Sequence, residues 1–207
     1  MDAATTTLVH RIAGRAESRS LGRAISFASV LFVAVLTAAA AQISVPLPFT
    51  AVPFTFQPMV VLLGGLALGS KLGLASQVLY LAAGIAGLPV FAASLTLPPG
   101  PLRLLGPTGG YLMAYPIAAF VVGYLAERGF SRRYATSVLA MLAGLAIVYA
   151  CGATWLGMFA RLGTQHAAIG IQAAIVTGVI PFVLADLVKL FAAAAILPGL
   201  WRLTGRA

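Results

Sequence analysis

The sequence predicts an all-α integral membrane protein, a single bundle of six transmembrane helices with both termini cytoplasmic. Composition is the first observation: of 207 residues, 61% are hydrophobic and 8% charged, with a mean hydropathy of +1.02. A soluble domain carries roughly a quarter charged residues. The second is that the apolar residues fall into six runs between turn-forming residues, most of them near the ~20 residues that cross a hydrocarbon core of ~30 Å. The third is the placement of Lys and Arg in alternate connections, the pattern of cytoplasmic loops.

Residues 1–24 form a basic segment in which Arg11, Arg15, Arg19 and Arg23 recur every fourth position. A continuous helix would stack them on one face, where they suit an anionic leaflet. The run from Ile25 to Ile43 is too long for a signal-peptide core, so it is read as a retained first span. The six spans are placed at 25–43, 55–69, 72–89, 110–127, 134–157 and 179–199. Together they make one membrane domain over 25–200, followed by a short basic tail, 201–207. Gly69-Ser70-Lys71 turns the chain between the second and third spans, and Glu127 to Arg133 joins the fourth to the fifth.

With the N-terminus inside, the cytoplasmic side receives Arg11, Arg15, Arg19, Arg23, Lys71, Arg128, Arg132, Arg133, Arg202 and Arg206, and the outside Arg103 and Arg161. The net charge of +9 therefore reads as orientation against membrane lipid and not as a nucleic-acid surface. Cys151 lies alone in an apolar run and reads as a small buried side chain.

The outer connections are unusual. Residues 44–54 contain three prolines and no charge, so they are not regular helix, yet they are apolar. Non-helical backbone at membrane depth persists only where it is buried in protein or lines a cavity. The stretch is read as a lid over the outer mouth, the alternative being a Pro-rich loop at the headgroups. A long loop over 90–109 ends in Gly109-Gly110, whose backbone N–H groups at a helix start form a small positive site for an anion or a carbonyl. Residues 165–177, with Gln165, His166, Gln172 and Thr177, are expected to form a short interfacial helix ahead of Pro181.

Asp186 and Lys189 are the two ionisable residues firmly inside a predicted span, one turn apart on one helix face. A lone charge there costs several kcal/mol, whereas a pair compensates itself and still presents polar atoms. A carboxylate accepts from N–H and an ammonium donates to a carbonyl, so the pair matches a neutral cyclic urea or an amide. A structural ion pair and a proton relay are the alternatives. Arg103 in the outer loops suits a carboxylate at the ligand's other end, or a headgroup. Phe49, Phe54, Phe56, Phe91 and Tyr111 gather in the outer connections as lid, pocket wall or interfacial belt. Glu127 reads as a solvated helix end. His10 and His166 make no metal cluster, and there is no Gly-x-x-x-x-Gly-Lys-Ser/Thr to hold ATP. Ala34 and Ala38, at four-residue spacing, offer a face for close approach of a partner helix.

Four motifs in order resemble the BioY family. They are Gln42-Ile43-Ser44-Val45-Pro46-Leu47-Pro48-Phe49-Thr50 through Val52-Pro53-Phe54-Thr55; Gly87-Leu88-Pro89-Val90-Phe91; Gly106-Pro107-Thr108-Gly109-Gly110-Tyr111; and Asp186-x-x-Lys189. The likeness runs collinearly from about residue 25 to 200. It implies a six-helix S component of an energy-coupling-factor (ECF) biotin transporter in the bacterial inner membrane. Such a protein binds biotin near the outer face and works with a transmembrane coupling subunit and two ATPase subunits. By position Asp186 and Lys189 match the pair that contacts the ureido ring, Ala34 and Ala38 the small-residue motif facing the coupling subunit, and Arg103, more loosely, a basic residue before Gly-Pro-Thr-Gly-Gly. The run Pro98-Pro99-Gly100-Pro101 departs from the family's usual Gly-rich loop. The expected site comprises Asp186, Lys189, Arg103, Tyr111, Phe91, Phe49 and Gly110, with no cofactor, metal or catalytic group. An S component for another vitamin is the nearest rival. An intramembrane enzyme built on Asp186 lacks a second carboxylate or a His in the core. The sequence leaves open whether the chain forms a homo-oligomer.

Overall fold

The structure is a computed structural model that describes residues 7–14, 16, 18–94, 97–162 and 165–203. A helix of about two turns, α1 (Leu8–Gly14), precedes the long α2 (Arg19–Gln42). Ser18 caps α2 by accepting from the Leu21 N–H at 3.2 Å, so this helix starts six residues upstream of the predicted first span. The break between α1 and α2 puts Arg11 on a different helix from Arg19 and Arg23. The expected continuous arginine face is therefore divided. Arg15 and Arg206 lie outside the described residues, as do parts of the two basic terminal segments.

One face of α2 (Val30, Val33, Ala34, Thr37, Ala41) is buried, while Phe27, Phe32 and Val35 on the other are largely exposed. Large apolar side chains in such a continuous exposed stripe are at home in hydrocarbon, not in water. A two-residue antiparallel ladder, β1 (Ser44–Val45) with β2 (Phe54–Thr55), then brackets the proline-rich stretch, pairing Ser44 with Thr55 and Val45 with Phe54.

The helices α3 (Gln57–Leu68) and α4 (Ser70–Ile85) form a hairpin about the predicted turn at Gly69. Pro58 sits in the first turn of α3, where its missing N–H costs nothing. The carboxylate of Glu127 accepts from both the backbone N–H and the hydroxyl of Ser70, each at 2.8 Å. The expectation of a solvated Glu127 is thus corrected: it caps the start of α4, compensating the orphan N–H groups and the positive helix end.

A single turn, α5 (Leu102–Leu105), leads to α6 (Gly109–Leu125), which contains Pro116 and runs into a π-helical turn at Ala126–Phe130. Next come α7 (Tyr134–Met158), a short hairpin of β3 (Arg161–Leu162) and β4 (Gln165–His166), α8 (Ile171–Gly178), α9 (Ile180–Ala194) and α10 (Ile196–Leu203). The helix expected over 165–177 is real but starts six residues later, after the hairpin. The last predicted span is divided at Ala195.

Packing is organised around α6, which lies against α3, α4 and α7, with α7 in turn against α8 and α9. The core runs through Leu62 and Leu66 of α3, Ala118 and Val122 of α6, Met141 and Val148 of α7, and Leu190 of α9. Among the described residues four helices are long and apolar enough to cross a membrane: Arg19–Gln42, Gly109–Phe130, Tyr134–Met158 and Ile180–Trp201. The helix α3 is apolar but shorter.

Candidate functional site

A cavity of about 310 Å³ opens between the proline-rich stretch, the start of α3, and α6, α7 and α9. That is the lower end of small-molecule pocket sizes. Pro46, Leu47, Thr50, Ala51, Val52 and Pro53 form one wall. The non-helical backbone expected to line a cavity does so, because the prolines forbid helix and the β1–β2 ladder ties the ends of the loop together. Its tip is different: Phe49 is 59% exposed and stands outside the cavity wall.

Asp186 and Lys189 share the buried face of α9, each 8% exposed. Lys189 Nζ lies 2.5 Å from Asp186 Oδ1 and donates to the Thr55 carbonyl at 2.7 Å. The ammonium also sits 3.8 Å from the centroid of the Phe54 ring and 5.1 Å from that of Phe56. The other carboxylate oxygen, Oδ2, accepts from the Tyr149 hydroxyl at 2.6 Å. Asp186 lines the cavity, whereas Lys189 stands behind it, outside the wall. The carboxylate is held from two sides in a fixed orientation and can still accept from a ligand, since each oxygen has lone pairs to spare.

Arg103, on α5, also lines the cavity and is buried. One of its terminal nitrogens donates to the Ala92 carbonyl, and Nε has no hydrogen-bond partner among the described residues. Burial lowers the guanidinium's pKa from its ordinary value, and the nearby Tyr80 opposes that shift. That Nε is itself sealed from the cavity, but a buried guanidinium on a cavity wall is suited to an anionic group. Phe91 packs edge-on against Tyr80, with centroids 5.5 Å apart, and its ring fills the space where a Cβ on Gly84 would stand. Tyr111 lines the cavity and donates its hydroxyl proton to the Gly178 carbonyl at 2.8 Å, tying α6 to the end of α8.

The structure thus brings Asp186, Arg103, Tyr111 and Phe91 to one cavity and leaves Phe49, Gly110 and Lys189 outside its wall. Gly110 serves helix packing. A Cβ there would come within 2.2 Å of Trp155 Cβ and 2.6 Å of the Cys151 carbonyl oxygen, so α6 and α7 meet closely at this point. Ala34 is 6% exposed within the core and Ala38 packs partly buried against it. This small-residue stripe joins α2 to its own bundle.

Three cavity residues were not legible as site residues. Tyr149 is one apolar-looking residue of α7 until its contact with Asp186 is seen. Gln57 opens α3 and donates from Nε2 to the Tyr80 hydroxyl at 2.6 Å; that hydroxyl gives its one proton to the Val90 carbonyl at 3.2 Å. It can therefore only accept from Gln57, which fixes the amide orientation and leaves Oε1 without a partner among the described residues. Tyr115 is the third. A polar residue at the first turn of an apolar helix was the available signal for Gln57; the tyrosines gave none.

Fold and site together define a helical membrane protein with a cavity of small-molecule size among its helices. The chain superposes with a TM-score of 0.75 on a crystal structure of the S-component for biotin from an ECF-type ABC transporter, at 23% identity and covering 90% of this chain and 95% of that one. The family follows from the sequence comparisons: the chain belongs to the BioY family, whose sequence model matches residues 13–206. It is 43% identical over 159 residues to the probable biotin transporter BioY of Pyrococcus horikoshii, covering 77% of this chain and 85% of the relative. It is 39% identical over 152 residues to the biotin transporter BioY of Thermotoga maritima, covering 73% and 82% respectively.

Proposed function

We propose that this protein is the biotin-capturing S component of an ECF-type uptake transporter. The observation that carries the reading is the polarity of the cavity. At one wall it offers Asp186, oriented by Tyr149 and charge-balanced by Lys189; elsewhere it offers the buried Arg103; between them it is largely apolar. Biotin has a neutral cyclic urea at one end, a carboxylate at the other and hydrocarbon between, and that order of groups matches. Family membership and the names of the curated relatives support the same ligand.

In this reading the six membrane segments are α2, α3, α4, α6, α7 and α9 with α10, forming a domain over 25–200 between basic segments 1–24 and 201–207. Both termini face the cytoplasm of a bacterial inner membrane, which leaves Arg103 and Arg161 as the basic residues outside. Biotin enters from the outer face, its ureido ring meets Asp186 about 9 Å below the start of α9, and its carboxylate meets Arg103. Phe91 and Tyr111 wall its apolar body, and the 44–54 loop closes over it. Release inward is driven by a coupling subunit and two ATPases, because the chain has no phosphate-binding loop of its own. Docking of the coupling subunit at Ala34 and Ala38 requires α2 to shift from its present packing. Binding of labelled biotin to the purified protein, challenged with dethiobiotin, lipoate and thiamine, tests the ligand. Displacement by dethiobiotin and not by thiamine is expected; preferential displacement by thiamine or lipoate would assign another vitamin.

A further inference from the structure

Three tyrosines of the helical wall, Tyr111, Tyr115 and Tyr149, line the cavity. Two of them spend the hydroxyl proton within the protein, Tyr111 on the Gly178 carbonyl and Tyr149 on Asp186. Tyr115, one turn along α6 from Tyr111, is 3% exposed, and its hydroxyl makes no hydrogen bond among the described residues. That hydroxyl is not sealed in the core, since it is absent from the fully buried, unpaired groups of the protein while its residue lines the cavity. The ring is held by packing, lying 6.5 Å from that of Tyr80, so the hydroxyl is aimed and not free to sweep. Buried polar groups are almost always paired, and an oriented donor left open to a cavity is one whose partner arrives with the ligand.

The helices α6 and α7 run antiparallel, with Gly152 against the Tyr111 ring and Gly144 against Val122 and the Ala118 carbonyl. Tyr115 is therefore level with Val148 and with Tyr149, which holds Asp186, and this puts its hydroxyl at the Asp186 end of the cavity. An acceptor carboxylate and a donor hydroxyl at one end match a group that carries N–H and C=O side by side. The ammonium that would otherwise meet the carbonyl stands outside the cavity wall, held there by Asp186 and Thr55. The geometry points to Tyr115 as a specificity-determining ligand contact, donating its hydroxyl to the ureido carbonyl oxygen while Asp186 accepts from an adjacent N–H. This deepens the biotin reading and rests on it.

The test uses the purified full chain, wild type and Tyr115→Phe, with biotin and an analogue whose ureido oxygen is replaced by sulfur, a weak acceptor. Wild-type binding of biotin comes first; its absence overturns the biotin reading and the contact with it. Given wild-type binding, Tyr115→Phe is expected to weaken biotin about three- to tenfold, the worth of one neutral hydrogen bond, and to weaken the sulfur analogue less than twofold. The ligand-free melting temperature is expected to stay level or rise, because no internal bond is lost. Unchanged biotin affinity, an equal loss for both ligands, or a lowered ligand-free melting temperature each overturns the contact while leaving the biotin reading in place.

Discussion

Replacing Lys189 with Met separates charge balance from ligand contact. The ammonium has two acceptors, Asp186 Oδ1 at 2.5 Å and the Thr55 carbonyl at 2.7 Å, and lies over the Phe54 ring. Methionine keeps the length and apolar stem but leaves Asp186, 8% exposed, as an uncompensated buried carboxylate. Removing one partner of a buried pair costs about 3–5 kcal/mol, whereas replacing both with apolar or neutral groups is often close to neutral. At about 2–4 °C per kcal/mol for a chain of this size, Lys189→Met is expected to melt about 6–20 °C below wild type in detergent. Asp186→Asn/Lys189→Met is expected to recover most of that loss. Ligand binding should not recover, because the double variant still lacks the carboxylate on the cavity wall. The assay is thermal unfolding followed by tryptophan fluorescence, with biotin affinity measured on the same samples. A single variant that melts with wild type, or a double variant less stable than the single, would refute the charge-balance argument. A double variant with wild-type affinity would refute the contact.

Other perturbations give distinct outcomes. Tyr149→Phe removes the 2.6 Å bond to Asp186 Oδ2, and a hydrogen bond to a charged group contributes about 1.5–3 kcal/mol; lower ligand-free stability and roughly tenfold weaker biotin binding are expected by melting and calorimetry. Arg103→Met is expected to weaken biotin but leave biotin amide, which lacks the carboxylate, nearly unchanged; equal losses would place the carboxylate elsewhere. Gly84→Ala sets a Cβ 2.0 Å from Phe91 Cζ, so the ring must leave its seat, at about 1–3 kcal/mol. Its melting temperature and biotin affinity are both expected to fall.

The mostly helical membrane character was legible because hydrocarbon demands long apolar runs, with breaks marked by Gly69, Pro89, Pro107 and Pro181; the count of six spans goes beyond the four long apolar helices among the described residues. The cavity wall at 46–53 was legible for the opposite reason: prolines among apolar residues admit neither a regular helix nor exposure in lipid. Asp186 and Lys189 stood out as rare charges, but sequence spacing does not say which of two neighbours reaches the cavity. That was decided by Thr55, 134 residues away in the chain, whose carbonyl holds the ammonium. Glu127 was misread as solvated because its partner Ser70 is 57 residues distant. Ala34 illustrates the same limit, since small-residue spacing identifies a face for close packing and not the helix that fills it. The tyrosines of α6 and α7 carry no charge and fit any apolar helix, so only the tertiary arrangement distinguishes Tyr115 from Tyr111.

The most direct measurement is equilibrium binding of labelled biotin to the purified chain and to its Asp186→Asn variant. Saturable binding by the wild type, weakened at least tenfold in the folded variant, is the predicted result. No binding by the folded wild type, or equal affinity in the two proteins, would contradict it.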